Sequence, residues 1–381
     1  MTACLFGTYD RGHSANRLLR QALRGAGFTL LELHEPLWEE TRVKGRGYFG
    51  PASLLRLGKR YAAATVRLAR RWRALGGPPP LVVVGFGGQL DVLLARRLCR
   101  PRAGLLFAPL VTLGETLVED RRVFAAGGAV ARVLATLDRA TLRAADLVLA
   151  DTAAHAADLA ARGAPRVAVW PLGVEPEFLP ARPARPASRR VLFYGRYLPL
   201  HGAETIVAAA ALVGERAEFV LLGDGPERPR AEAEARARGA RIVWRDEVSL
   251  AALPEELAAA AVVLGVFGAG RKAAVVVPNK VYQAAAAGRP LVTRDGPALR
   301  EVLRPGEHCL VCPPADPTAL AAAISRLLDD ESFAASLGRA ARAHVVDRFA
   351  PERQAARLGA LLAERLGVAA PAPAAPRAAG G

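Results

Sequence analysis

Short apolar runs alternating with amphipathic stretches, and a proline-rich break between two rounds of that alternation, predict an α/β protein. The expected architecture is two Rossmann-like parallel-sheet domains facing a cleft. Length agrees: 381 residues exceed what one hydrophobic core usually serves, and 52% of them are apolar, enough for two cores.

In the first half the expected strands are Thr2–Phe6, Phe28–Leu33, Leu81–Val84, Gly104–Phe107, Leu147–Ala150 and Val167–Trp170. They are short and mostly continuously apolar, as strands covered on both faces are. Helices are expected at Asn16–Gly25 and Leu54–Leu75, the second ended by the Pro78-Pro79-Pro80 run. Gly7 opens the turn after the first strand, at the carboxyl edge where α/β sheets bind ligands. Residues 42–50 form a basic, glycine-rich loop.

Pro171 to Arg190 holds five prolines and little periodicity, the mark of an interdomain linker. The alternation then restarts, with strands expected at Val191–Tyr194, Phe219–Leu222, Ile242–Trp244, Val262–Val266, Leu291–Thr293 and Cys309–Val311. The predicted organisation is residues 1–170 for the first domain, 171–190 for the linker and 191–350 for the second domain. A last helix follows at 351–368, then an Ala/Pro/Gly tail at 369–381 with the composition of a disordered segment.

Charge is unevenly placed. Lys and Arg outnumber Asp and Glu by 29 to 15 over residues 1–190, and by only 23 to 21 over the remainder. Residues 51–100 carry ten basic groups and one acid, so the predicted helix 54–75 suits an anionic surface. A peripheral contact with an anionic membrane face is therefore expected, and no aromatic-rich basic strand or helix-turn-helix pattern speaks for nucleic acid. No apolar run is long enough to span a bilayer and no signal segment is visible, which predicts a cytoplasmic protein. The four cysteines do not make a disulfide framework, and Cys309-Leu-Val-Cys312 lacks the second pair a zinc site needs.

The most informative stretch runs from Arg271 to Pro290, between two predicted strands. Pro278 and Asn279 open a helix that Gly288 closes, and Pro290 bars its continuation. A strand, a basic loop and a helix N-terminus together suit a phosphate, with Lys272, Lys280 and Arg289 nearby. Gln283 lies one turn beyond Asn279 on the same face, so both could reach one ligand.

Four pieces of the second half, in order, carry a resemblance. They are Val191–Gly202 with Tyr194-Gly-Arg196 and His201, then Val220–Pro226 with Gly223-Asp-Gly225, then Pro278–Pro290, then Leu310–Pro317. Together they resemble the nucleotide-sugar-binding domain of family 4-like, GT-B fold glycosyltransferases. The first half is similar more loosely, through Phe6–Asp10, Pro36–Thr41 and Gly88–Val92. The resemblance implies transfer of a sugar, with retention of configuration, from a nucleotide diphosphate donor to a glycan or lipid-linked acceptor. No cofactor is implied beyond that donor substrate.

In the family an Arg after the first strand of this domain, and a Lys a few residues on, grip the diphosphate. Arg196 matches the first, and His201 stands where the Lys is usual. The family's two glutamates correspond here to Val275 and Gln283, and Gln283 can still hydrogen-bond ribose hydroxyls. The expectation is that Arg196 and Lys272 stabilise the leaving-group charge, while His201, Asn279, Lys280, Gln283 and Gly7 contact the donor. No metal is expected, because the chain has no Asp-x-Asp pair. His13, Asn16, Glu115, Glu119 and Asp120 are expected on the acceptor side. Two other readings compete: a sugar-nucleotide epimerase of the same fold, and a basic nucleic-acid-binding protein. The first would need free carboxylates in the cleft, for which Asp224, Asp295 and Glu301 are the candidates.

Overall fold

The computed structural model describes residues 1–37, 51–99, 103–180 and 189–369. Within these the chain folds as two parallel sheets of six strands each. The first comprises β1 (Thr2–Gly7), β2 (Thr29–His34), β3 (Leu81–Val84), β4 (Gly104–Phe107), β5 (Leu147–Ala150) and β6 (Val167–Val169), in the order β2-β1-β3-β4-β5-β6. The second comprises β7 (Arg190–Tyr194), β8 (Glu218–Leu222), β9 (Ile242–Arg245), β10 (Val262–Leu264), β11 (Leu291–Arg294) and β12 (Leu310–Cys312), in the order β12-β11-β10-β7-β8-β9.

Helices α1 (Ser14–Gly25), α2 (Pro51–Arg73), α3 (Asp91–Cys99), α4 (Ala129–Ala144) and α5 (Ala153–Ala161) belong to the first half. The second half contributes α6 (Ala203–Val213), α7 (Arg228–Arg238), α8 (Leu253–Ala258), α9 (Arg271–Val275), α10 (Asn279–Ala286), α11 (Pro297–Val302) and α12 (Pro317–Asp329). It closes with α13 (Glu331–Phe349) and α14 (Pro351–Leu366). All twelve expected strands are present, with ends moved by one or two residues. The expected basic loop, Trp38–Thr41 and the tail beyond residue 369 lie outside the described residues.

Two elements differ from expectation. The stretch after β10, read as a basic loop, contains the short helix α9. Residues Glu115–Asp120, three of which are expected on the acceptor side, form a π-helical turn that the sequence did not predict. Such turns often mark functional positions, since a wider turn re-aims side chains.

The last helix crosses back to the first half. α14 packs against α1, where Ala355 fills the space a side chain at Gly25 would need. Gln354 secures the crossing: its Nε2 donates to the Pro171 carbonyl at 2.6 Å, and its backbone carbonyl accepts from Trp170 Nε1 at 3.1 Å. One apolar core therefore runs through both halves, from Trp170 and Phe178 to Tyr282, Phe349 and Leu358. Two further cores lie under the opposite faces of the two sheets.

Candidate active site

The site forms at the carboxyl edge of β7, where Gly195 and Arg196 follow the strand. Its shape is set by backbone-to-backbone contact. A Cβ at Gly225 would strike the Arg196 carbonyl, and one at Gly223 would strike the Gly195 carbonyl. The Gly223-Asp-Gly225 turn is thus needed to let two strand-end turns touch, whatever ligand binds. Tyr197 next door has φ 42°, a left-handed conformation costly for a bulky residue, held by its complete burial.

Lys280 reaches this edge from the first turn of α10. A side chain at Gly195 would lie 3.0 Å from both Lys280 Nζ and His201 Cε1. The Lys280 ammonium is buried, makes no hydrogen bond among the described residues, and sits 4.0 Å from the centre of the Phe193 ring. Desolvation holds its pKa well below the ordinary lysine value. His201 is also buried; its Nδ1 accepts from the Leu198 amide at 3.1 Å, leaving the other ring nitrogen to carry the proton. Burial first, then the charges of Lys280 and Lys272, lowers its pKa well below the ordinary value, so the ring is neutral at pH 7.

Lys272 is placed differently from expectation. Its Nζ forms an ion pair at 2.8 Å with Asp120, at the end of the π-helical turn in the first half. The two are 14% and 3% exposed, so the pair is largely desolvated. Lys272 is close enough to bias His201, yet its charge is already matched. Lys280, by contrast, has no acid partner among the described residues. The same turn brings Arg121 close enough to Arg196 for the two charges to interact, a first-half cation that the sequence reading missed. No sequence signal marks Arg121, because the contact joins residues 75 positions apart across the cleft.

The other expected donor contacts, Gln283, Asn279 and Gly7, are placed as follows. Gln283 is buried and spent on the protein: Tyr194 Oη donates to its Oε1 at 3.0 Å, and its Nε2 donates to Glu175. Asn279 is the first residue of α10, with Pro278 at the cap position and no side-chain capping bond. Its Oδ1 is buried and has no hydrogen-bond partner among the described residues. Gly7 has φ +122°, and a Cβ there would collide with the Asp91 carboxylate. Its missing side chain therefore makes room for Asp91, which accepts from the Thr8 amide at 2.6 Å and from the Tyr61 hydroxyl at 3.1 Å. Arg289, grouped with the lysines by sequence, lies beyond the far end of α10 and donates toward the Ala258 carbonyl.

On the acceptor side, Asn16 is a brace. Its amide donates to the Asp10 and Phe86 carbonyls at 2.6 and 2.8 Å, and its Oδ1 accepts from the Phe86 amide at 2.8 Å. His13 caps α1 through Nδ1 and packs on Phe86. Glu119 pairs with Arg162, and Glu115 accepts from the Thr112 amide. Two of the three candidate epimerase carboxylates are similarly occupied. Glu301 accepts from the Ala153 and Ala154 amides at the start of α5, and Asp295 pairs with Arg300.

The two halves touch through α9 and the loop after it. Asp151, at the carboxyl edge of β5, accepts from the Val277 amide at 3.2 Å and pairs with His155 at 2.6 Å. Arg271 pairs with Asp158, and Thr152 donates to the Val275 carbonyl at 2.5 Å. Among the described residues, no cluster of three His, Cys, Asp or Glu could hold a metal ion. Cys309 and Cys312 are buried and unpaired, and burial pushes both thiols up to about 12.

Residues 188–330 match the family described as Glycosyl transferases group 1. Over 96% of its length the chain superposes on sucrose-phosphate synthase from Thermosynechococcus elongatus, covering 99% of that chain with a TM-score of 0.74 and 19% identity. HepE from Anabaena, solved with UDP and glucose, gives a TM-score of 0.70 at 14% identity, covering 95% of this chain and 99% of that one. The fold is GT-B. In sequence, the chain is 31% identical over 151 residues to alpha-D-kanosaminyltransferase from Streptomyces kanamyceticus. That match covers 37% of this chain and 36% of the relative, so it spans only about a third of the curated protein. The edge bearing Arg196, His201 and Lys280 lies within the stretch matched to the family.

Proposed function

We propose that the protein is a retaining glycosyltransferase that moves a sugar from a nucleotide diphosphate donor to a glycan or lipid-linked acceptor. The observation that carries this reading is the buried side-chain nitrogen of Lys280, which has no partner among the described residues and lies against Gly195, the residue before Arg196, within the glycosyl transferase match. An uncompensated buried cation is costly unless an anion joins it, and a diphosphate is such an anion.

In this mechanism the bond between the anomeric carbon and the phosphate oxygen breaks, and its electron pair stays on the diphosphate. Arg196 and Lys280 offset the charge that develops there. The neutral His201 donates through its second ring nitrogen to a phosphate oxygen. The acceptor oxygen attacks the oxocarbenium-like sugar from the face the diphosphate leaves, and a phosphate oxygen takes the acceptor's proton. Arginine, lysine and the α10 N-terminus do work that a metal does elsewhere, so transfer is metal-independent in this reading.

The acceptor half is read as meeting an anionic membrane face through α2. Arg56, Lys59, Arg60 and Arg70 are exposed there beside Leu55 and Val66, which are 62% and 50% exposed. None of the described helices is long and apolar enough to cross a membrane.

The test is a thermal-shift series with UDP, GDP and ADP, followed by transfer assays with the matching sugar nucleotides. One nucleoside diphosphate should raise the melting temperature, because it binds only the folded chain. If none does, and no sugar nucleotide is consumed with any acceptor, the reading fails.

A further inference from the structure

At the carboxyl edge of the first sheet, away from the lysine site, an open pocket of about 870 Å³ lies between α1, β2 and α2. Four arginines line it, Arg11, Arg17, Arg20 and Arg71, against one carboxylate, Glu32, with His34 completing the wall. We infer that this pocket receives a phosphoryl group carried by the acceptor. The inference rests on the glycosyl-transfer reading for the word acceptor, and on the pocket alone for the phosphoryl group.

The arginines are held in position by shared acids. Glu32 takes Arg11 at 2.9 Å, Arg20 at 3.6 Å and the Tyr9 hydroxyl at 3.1 Å. One carboxylate thus orients two guanidinium groups and leaves a net positive wall. Arg71 is fixed on the other side, donating to the His34 carbonyl at 2.9 Å and sharing Glu35 with Arg67. Arg20 Nε is buried with no hydrogen-bond partner among the described residues. Guanidinium forks match tetrahedral oxyanions two oxygens at a time, and several pre-positioned forks suit a phosphoryl group better than any neutral sugar.

The pocket is also wired to the lysine site. Arg17 pairs with Glu177 at 2.5 Å and lies 3.8 Å from Glu175 Oε1, an oxygen with no hydrogen-bond partner among the described residues. The other oxygen of Glu175 accepts from Gln283 on α10. A group bound at Arg17 therefore sits one carboxylate away from the helix that carries Lys280. That is where an acceptor bridging both halves needs its anchor.

The test titrates inorganic phosphate into the full-length protein and follows the melting temperature. Arg11→Gln and Arg20→Gln should each weaken the phosphate response about tenfold or more, the scale of one charge-assisted hydrogen bond. Arg196→Ala, at the other site, should leave that response in place. Arg11 is half exposed, so its variant keeps the fold even where Arg20→Gln does not. Two further arms separate the sources of the phosphoryl group. Glucose 6-phosphate displacing phosphate marks a soluble acceptor, whereas Arg11-dependent recruitment to vesicles carrying polyprenyl phosphate, over phosphatidylcholine alone, marks a lipid-borne one. Phosphate that stabilises wild type, Arg11→Gln and Arg20→Gln alike, or none of them, overturns the inference. If nucleoside diphosphates fail to bind while the Arg11-dependent response persists, the transfer reading falls and the pocket stands.

Discussion

Lys272 and Asp120 meet at 2.8 Å, the lysine from the second half of the chain and the aspartate from the first, with both side chains mostly out of solvent. An ion pair so placed ties the halves together and neutralises a cation expected from the sequence to offset leaving-group charge. Removing one partner of such a pair leaves a buried charge unmatched.

The pairing orders the effects of substitutions on turnover. Arg196→Ala and Lys280→Ala should each cost about 10²–10³ in turnover at saturating donor, the scale for losing one preorganised donor. Lys272→Ala should cost about tenfold or less, because Asp120 already holds its charge. Steady-state turnover of the three folded variants checks this. A Lys272→Ala loss as deep as that of Arg196→Ala would return Lys272 to the charge-stabilising role first expected of it.

Lys280 should trade stability against activity. Desolvation depresses its folded pKa, so the unfolded chain binds the proton more readily, and the group destabilises the fold below its unfolded pKa. Stability from this group therefore rises with pH until the unfolded lysine also loses its proton. Lys280→Met, which removes the buried amine, should raise the melting temperature at pH 7 by a few degrees while costing about 10²–10³ in turnover. A melting temperature that falls instead contradicts the unmatched charge.

Donor binding should take up a proton. A diphosphate beside Lys280 favours the ammonium and raises its pKa, so affinity for the nucleoside diphosphate should decline as pH rises above the free protein's value. Titration calorimetry in buffers of different ionisation enthalpy measures the uptake. Lys280→Met should show none, and an equal uptake in that variant would rule this lysine out.

Asp91 supplies a second pH signal, unconnected with donor. Burial raises its carboxyl from the ordinary 3.8 to about 6, against the opposing hydrogen bonds from Thr8 and Tyr61. The folded chain then holds a proton that the unfolded chain releases, so stability falls as pH rises from about 4 to about 6. Urea unfolding across that range should show a steeper fall for wild type than for Asp91→Asn. Parallel curves would mean that Asp91 is ionised throughout.

Vesicle binding tests the basic face of α2. The protein should pellet with anionic vesicles at low salt and release as salt rises, since each exposed Lys or Arg adds about 1 kcal/mol that screening removes. Replacing Arg56, Lys59 and Arg60 with Gln should abolish pelleting. Retention of the triple variant would assign the contact elsewhere.

Much of this protein was legible in the sequence, because its strands are local statements. Runs such as Leu81–Val84 and Val262–Leu264 are apolar throughout, and only a strand buried on both faces tolerates that composition. The glycines at 195, 223 and 225 and the break at Pro278 were likewise readable, since each sets a backbone shape within a few residues. Arg196 was found through the family resemblance, as the arginine that follows the first strand of the second half.

The tertiary structure alone decided which charges remain available. Lys272 and Lys280 lie eight residues apart and look alike in sequence, yet one meets Asp120 from 152 residues away and the other sits over the ring faces of Phe193 and Tyr194. Gln283 looked free for a ribose until Glu175 was found against it, and Asn16 looked like an acceptor contact until its amide proved committed to two loops. The arginine pocket joins residues 11 to 71 of the first half and carries no motif at all. The physical reason is the same in each case. Backbone preference is settled by near neighbours, whereas the charge state and free valence of a side chain depend on whatever distant group the fold presses against it.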